Sequence, residues 1–119
     1  DNLTALILAS RSGFLGIVDH LIVHGSDWRL TDHNGKNALM FCCFRQRIDV
    51  AERLISLGID VNAVDHHGST ALMIASSKND AVMVKLLLSS HADPSMVNSE
   101  MKTASDLTSS EELRNLLTN

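Results

Sequence analysis

Short apolar runs alternate with polar breaks along the whole chain. A Thr or Asn opens each first run, as in Thr70-Ala71-Leu72-Met73-Ile74-Ala75-Ser76. A hydroxyl or amide there can accept from an orphan backbone N–H of a first helical turn, so the pattern predicts an N-cap. A break follows at Gly13, Gln46 or Asn79. A second run follows, such as Ala51-Glu52-Arg53-Leu54-Ile55-Ser56-Leu57, with apolar residues three and four apart. That spacing predicts an amphipathic helix. Gly25 and Gly58 then stand where a helix ends on a left-handed residue, and His91 takes the same place at some conformational cost. A polar segment with Asp-x-x-Gly at a turn completes the unit. Each unit is therefore expected to be two antiparallel helices and a projecting β-turn.

The units keep register. Thr4-Ala5-Leu6, Asn37-Ala38-Leu39, Thr70-Ala71-Leu72 and Thr103-Ala104-Ser105 fall 33 residues apart. So do Gly25, Gly58 and His91; Asp27, Asp60 and Asp93; and Leu21, Leu54 and Leu87. Asp32-His33-Asn34-Gly35 returns as Asp65-His66-His67-Gly68 and weakly as Asn98-Ser99-Glu100-Met101. The boundaries lie at about 1–31, 32–64, 65–97 and 98–119. In the last unit the second helix arrives early, as Glu111-Glu112-Leu113-Arg114-Asn115-Leu116-Leu117, with Ser109 or Ser110 as its cap. Its polar outer side suits the end of a stack. Leu3-Thr4-Ala5-Leu6-Ile7-Leu8-Ala9 is almost wholly apolar instead, so further repeats or another covering element are expected before it, in a longer chain.

This register resembles the ankyrin repeat, on Asp65-x-x-Gly68-Ser69-Thr70-Ala71-Leu72-Met73-Ile74-Ala75 and on Gly58-Ile59-Asp60-Val61-Asn62-Ala63. The resemblance spans nearly the whole chain. It implies an all-α solenoid of helix–turn–helix units with β-turn fingers: three full repeats and a shortened C-terminal capping repeat. Tetratricopeptide units are the weaker fold alternative, since they run at about 34 residues and lack the finger. The family's Thr-Pro-Leu-His signature reads Thr-Ala-Leu-Ile, Asn-Ala-Leu-Met and Thr-Ala-Leu-Met here. Ile7, Met40 and Met73 must then replace the histidine's ties between repeats by packing.

Composition narrows the function. There are 119 residues, 45% apolar, with net charge −4 and 3% aromatic, which fits one domain. The acidic balance and scarce aromatics argue against a nucleic-acid partner. No apolar run is long enough to insert in a membrane. Adjacent Cys42 and Cys43 make no disulfide framework and suggest a reducing compartment, cytoplasmic or nuclear. They share columns with Ala9, Ala75, Ser10 and Ser76, so small packing residues are the expectation and no zinc site is. His20 and His24 are spaced to share a metal, but no third ligand is evident and a solvated face is the simpler reading. His33, His66 and His67 form a candidate pH-sensitive patch, or plain turn residues. No nucleophilic triad, phosphate-binding glycine loop or HExxH motif occurs, so neither a cofactor nor catalysis is expected.

The resemblance implies partner recognition on the concave side, by the fingers and first helices. Column by column this gives Arg11 in the first unit, after Leu3. The second unit gives His33, Asn34, Lys36, Phe44 and Arg45. The third gives His66, His67, Ser69, Ser77 and Lys78. Phe44 is either an exposed anchor or turned inward against Phe41, and Trp28 is either a plug under its loop or an anchor. The mixed surface, mildly basic at its centre, suits an acidic-hydrophobic peptide or a folded partner with an acidic rim. The expected function is non-catalytic protein or peptide binding. The alternatives are an intramolecular regulatory or scaffolding domain packed on other parts of a larger enzyme or channel, and a substrate role. For the last, Leu54 with Asp60-Val61-Asn62-Ala63 matches what an asparaginyl hydroxylase accepts in ankyrin repeats, with Asn62 as the target. Asn62 bonding the turn between repeats is the structural alternative.

Overall fold

The computed structural model describes residues 4–118. Leu3 lies outside the described residues. Eight helices run α1 Ala5–Ser12, α2 Leu15–Val23, α3 Ala38–Arg45, α4 Ile48–Ser56, α5 Ala71–Ser77, α6 Ala81–Ser89, α7 Ala104–Leu107 and α8 Glu111–Thr118 among them, with no strand. The first helix of every unit starts on the expected cap. Thr4, Asn37, Thr70 and Thr103 accept from the amides of Ile7 (3.0 Å), Met40 (2.9 Å), Met73 (3.2 Å) and Asp106 (3.3 Å). Thr103 also donates its own amide to Asp106, closing a capping box that helps a four-residue helix persist. Ser110 is the cap of α8, accepting from the Leu113 amide.

Three columns of left-handed residues set the unit's shape. Gly13, Gln46 and Asn79 turn the chain from first helix to second, at φ 78°, 58° and 55°. Gly25, Gly58 and His91 end the second helices, with His91 at φ 73° as its position predicts. Gly35, Gly68 and Met101 shape the fingers, and at the two glycines a side chain would press on the next finger. A Cβ on Gly35 would stand 2.7 Å from the His66 ring, and one on Gly68 would stand 3.2 Å from the Asn98 backbone. Successive fingers thus pack backbone to backbone. One backbone hydrogen bond joins each neighbouring pair, from the His66 amide to the Asn34 carbonyl and from the Ser99 amide to the His67 carbonyl, each 2.9 Å.

The helical hairpins stack in one row, 41 Å long by 25 by 20 Å. First helices α1, α3, α5 and α7 pack directly on one another, while α2, α4 and α6 touch less, so the stack is concave on the side of the first helices and fingers. Between layers lie Leu6, Ile7, Leu39, Met40, Leu54, Leu72, Met73, Leu87 and Leu113, all buried. Ile7, Met40 and Met73 do fill the place of the missing histidines. Asn79 stitches the cap to the third repeat: its Oδ1 accepts from Thr108 (2.7 Å) and from the Ser109 amide (3.1 Å), and its Nδ2 donates to Ser109 (2.8 Å). Leu113 and Leu117 turn inward, while Glu111, Glu112, Arg114 and Asn115 face water.

The two ends of the row differ. Ile17 is 51% exposed, whereas its counterparts Val50 and Met83 are 1% and 0% exposed beneath a preceding repeat. Ala5 and Leu8 are exposed likewise, although Ala38, Ala71, Ala104 and Ile74 in the same columns are buried. Among the described residues, nothing packs over this apolar face at the α1–α2 end.

Candidate functional site

The concave surface is built from turn chemistry upward. In the first described finger the Asp32 carboxylate accepts from the amides of Asn34 (2.9 Å) and Lys36 (2.8 Å), and in the second Asp65 accepts from His67 and Ser69, both 2.9 Å. Asn98 repeats the arrangement with Glu100 and Lys102. A short acceptor at this position folds the finger onto itself, which aims the next residues at the concave face. Lys36 then reaches the neighbouring finger and forms an ion pair with Asp65, the lysine half-buried and the carboxylate buried. Burial pushes the Asp65 carboxyl up. Lys36, the Ser69 and His67 amides and the lysine charge outweigh that and hold it below its ordinary value.

The ends of the first helices supply the rest. Phe44 is 37% exposed, its ring centroid 6.4 Å from that of Phe41. One side of Phe44 leans on Phe41 and the remainder faces outward. Ammonium groups of Lys36 and Lys78 lie 5.2 and 5.6 Å from the Phe44 centroid, and the Arg11 guanidinium lies 5.9 Å from that of Phe41. Such contacts orient the rings as well as stabilise them. Arg45 is exposed beside Phe44.

The structure gathers some of the expected residues and leaves others apart. Arg11, Asn34, Lys36, Phe44, Arg45 and Lys78 line one open hollow of about 350 Å³ with Asp32 and Phe41. Ser69 and Ser77 line an adjoining one of about 220 Å³, which shares Lys36 and Phe44 with the first. The Ser77 hydroxyl is turned back to the Ile74 carbonyl of its own helix (2.7 Å). His33, His66 and His67 are exposed on the fingers and line neither hollow. Two basic residues of the second repeat point elsewhere. Arg47 donates to the Arg11 carbonyl (3.1 Å), and Arg53 pairs with Asp19 (2.7 Å) between α2 and α4. Sequence reading missed Phe41 and Asp65. Phe41 shares a column with Leu8 and Ile74 and so looks like core, while the step from Lys36 to the next finger's Asp was the signal for Asp65.

The remaining candidates lie away from the two hollows. Cys42 and Cys43 are fully buried. Burial pushes the Cys42 thiol up to about 12 against the pull of Arg47. Cys43 is also raised well above its ordinary value, by burial first and then by Cys42 and Asp80. Neither offers a thiolate at neutral pH. His24 bonds the His20 carbonyl (2.8 Å) on an exposed helix face, and no three His, Cys, Asp or Glu side chains converge as a metal site among the described residues. Trp28 packs partly on the core with Arg29 over its ring. Asn62 ties two turns together: its Oδ1 accepts from the Asp93 amide (2.8 Å) and its Nδ2 donates to the His91 carbonyl (3.4 Å). No helix among the described residues is long and apolar enough to cross a membrane.

The family model for ankyrin repeats in three copies matches residues 2–98. No curated protein gives a match. With caps, left-handed turns and fingers recurring at one step through that span, the chain belongs to the ankyrin-repeat family.

Proposed function

We propose that the chain recognises a protein or peptide partner through its concave hollow, with Phe44 and Arg45 at the centre and without catalysis. Ankyrin repeats are in general non-catalytic protein–protein interaction modules. The observation that carries the assignment here is a half-exposed Phe44 held by two ammonium groups beside an exposed Arg45, an aromatic-plus-arginine pair of the kind that dominates interfaces. Residues 1–119 act as one domain in this reading, with the partner either a separate protein or another part of the same chain.

The test is affinity capture from cell lysate with the wild type beside the Phe44→Ala/Arg45→Ala double variant. Both side chains are largely outside the core, so the variant should keep its helical circular dichroism and lose the specifically retained proteins. Equal retention by both would remove the hollow as the site.

A separate reading rests on Leu54 and Asp60-Val61-Asn62-Ala63, the asparaginyl-hydroxylase pattern. The two bonds of Asn62 engage its amide and leave Cβ out of them. Incubation with such a hydroxylase should add one oxygen to the wild type and none to Asn62→Ala. An unchanged intact mass in the wild type ends this reading.

A further inference from the structure

We infer that the hollow takes an extended segment in which acidic residues flank an apolar side chain, the acids meeting Arg11, Arg45 and Lys78 and the apolar group lying against Phe44. The inference rests on the concave site proposed above and names the chemistry of its occupant.

The chain as a whole is acidic, with 14 carboxylate side chains against 10 cationic ones. Its hollow is the reverse. The two carboxylates near it are consumed within the protein: Asp32 is buried and accepts from two finger amides, and Asp65 is buried against Lys36 and two more amides. The remaining charges are Arg11, Arg45 and Lys78, and none has a carboxylate within ion-pair distance among the described residues. An apolar floor raises the strength of a charge contact by excluding water, and Phe41 and Phe44 supply that floor.

The placement of the cations decides between a point charge and a distributed one. Arg11 lies in the last turn of α1, Arg45 ends α3 and Lys78 follows α5, so each belongs to a different layer of the stack. Arg45 and Lys78 occupy one column, and Arg11 shares a column with Phe44. Charges laid out one per layer match an extended chain with several acids along it better than a single compact anion. Phe44, between Arg11 and Lys78 in that order, places the apolar contact between the charged ones.

A selection of random 12-residue peptides on the immobilised 119-residue chain tests this. The enriched sequences should carry at least two Asp or Glu around an aliphatic or aromatic residue. A synthetic peptide of that consensus should bind about ten-fold or more weakly to Arg45→Glu/Lys78→Glu, and more weakly as salt rises. Both substituted side chains are exposed, and helical circular dichroism with an unchanged urea midpoint would confirm that the variant is folded. Enrichment of neutral or basic sequences, no enrichment at all, or acidic peptides indifferent to the charge reversal would overturn the inference. Neutral peptides that are lost on Phe44→Ala would leave the concave site standing while its acidic occupant falls. Peptides indifferent to both Phe44→Ala and the charge reversal would remove the site itself.

Discussion

Replacing Asp65 by alanine should lower the stability of the chain by about 3 kcal/mol. One carboxylate does three jobs. Oδ1 accepts from the His67 and Ser69 amides, which closes the second finger, and Oδ2 holds the ammonium of Lys36 from the first finger. Alanine leaves two amides and a half-buried cation without their acceptor, and each lost partner carries a desolvation penalty. Asparagine should cost less, about 1–2 kcal/mol, because it keeps the amide acceptor and gives up only the ion pair. Asn98 shows that an amide suffices for the turn, accepting from Glu100 (2.9 Å) and Lys102 (3.1 Å) at the equivalent position. The effect also depends on pH. Against the upward push of burial, Lys36 and the finger amides hold the Asp65 carboxyl below its unperturbed 3.8. A carboxylate whose folded value is depressed contributes fully above the unfolded value and loses that contribution as pH falls through the folded one. The gap between wild type and Asp65→Ala should therefore be widest near neutrality and narrow toward about pH 2. Urea denaturation at the two pH values measures it. A gap that is the same at both would separate Lys36 and Asp65 as independent charges, and an asparagine variant as weak as the alanine one would contradict a share for the turn's amide bonds by placing the whole loss on the carboxylate charge.

Features set by local geometry were legible before any coordinates. The caps at Thr4, Asn37, Thr70 and Thr103, the left-handed Gly25, Gly58 and His91, and the Ser110 start of α8 each depend on residues within a few positions of one another. Backbone sterics and capping decide them, and both can be read from short segments. The site was only half legible, because its contacts cross between layers. Lys36 and Asp65 are 29 residues apart, Arg53 and Asp19 34, and Arg47 and Arg11 36. Column matching places such residues in adjacent layers but leaves open which of several long side chains meets which partner. That depends on the offset between stacked hairpins. Arg47 and Arg53 share a repeat with Lys36 and Arg45 yet bond away from the hollow, whereas Lys36 does so only in part. Asn79 shows the same limit. Its column marks a helix break, and its three bonds into Thr108 and Ser109 arise from a cap whose second helix comes early.

Leu54→Ala should be the most damaging single truncation of the stack, at about 3–4 kcal/mol. Leu54 is 0% exposed, in α4, with a repeat on each side. Removing it costs the transfer free energy of the lost carbons and leaves a cavity that rigid helices on both sides cannot close. Position in the stack matters as much as burial. Stability in a solenoid is approximately a sum of units and nearest-neighbour interfaces, so damage to a middle unit weakens two interfaces at once. Ile17 provides the contrast within the same protein. It occupies the column of Val50 and Met83 but is 51% exposed on the open α1–α2 face, so Ile17→Ala should cost under about 1 kcal/mol. The two variants also differ in cooperativity. A weakened second repeat disconnects the first from the third and the cap, so Leu54→Ala should broaden the urea transition and lower its slope, while Ile17→Ala should leave the slope unchanged. Comparable losses from both substitutions, with a single sharp transition in each, would contradict layer-by-layer coupling. They would also place the Ile17 side chain under cover that the open end of the row does not provide.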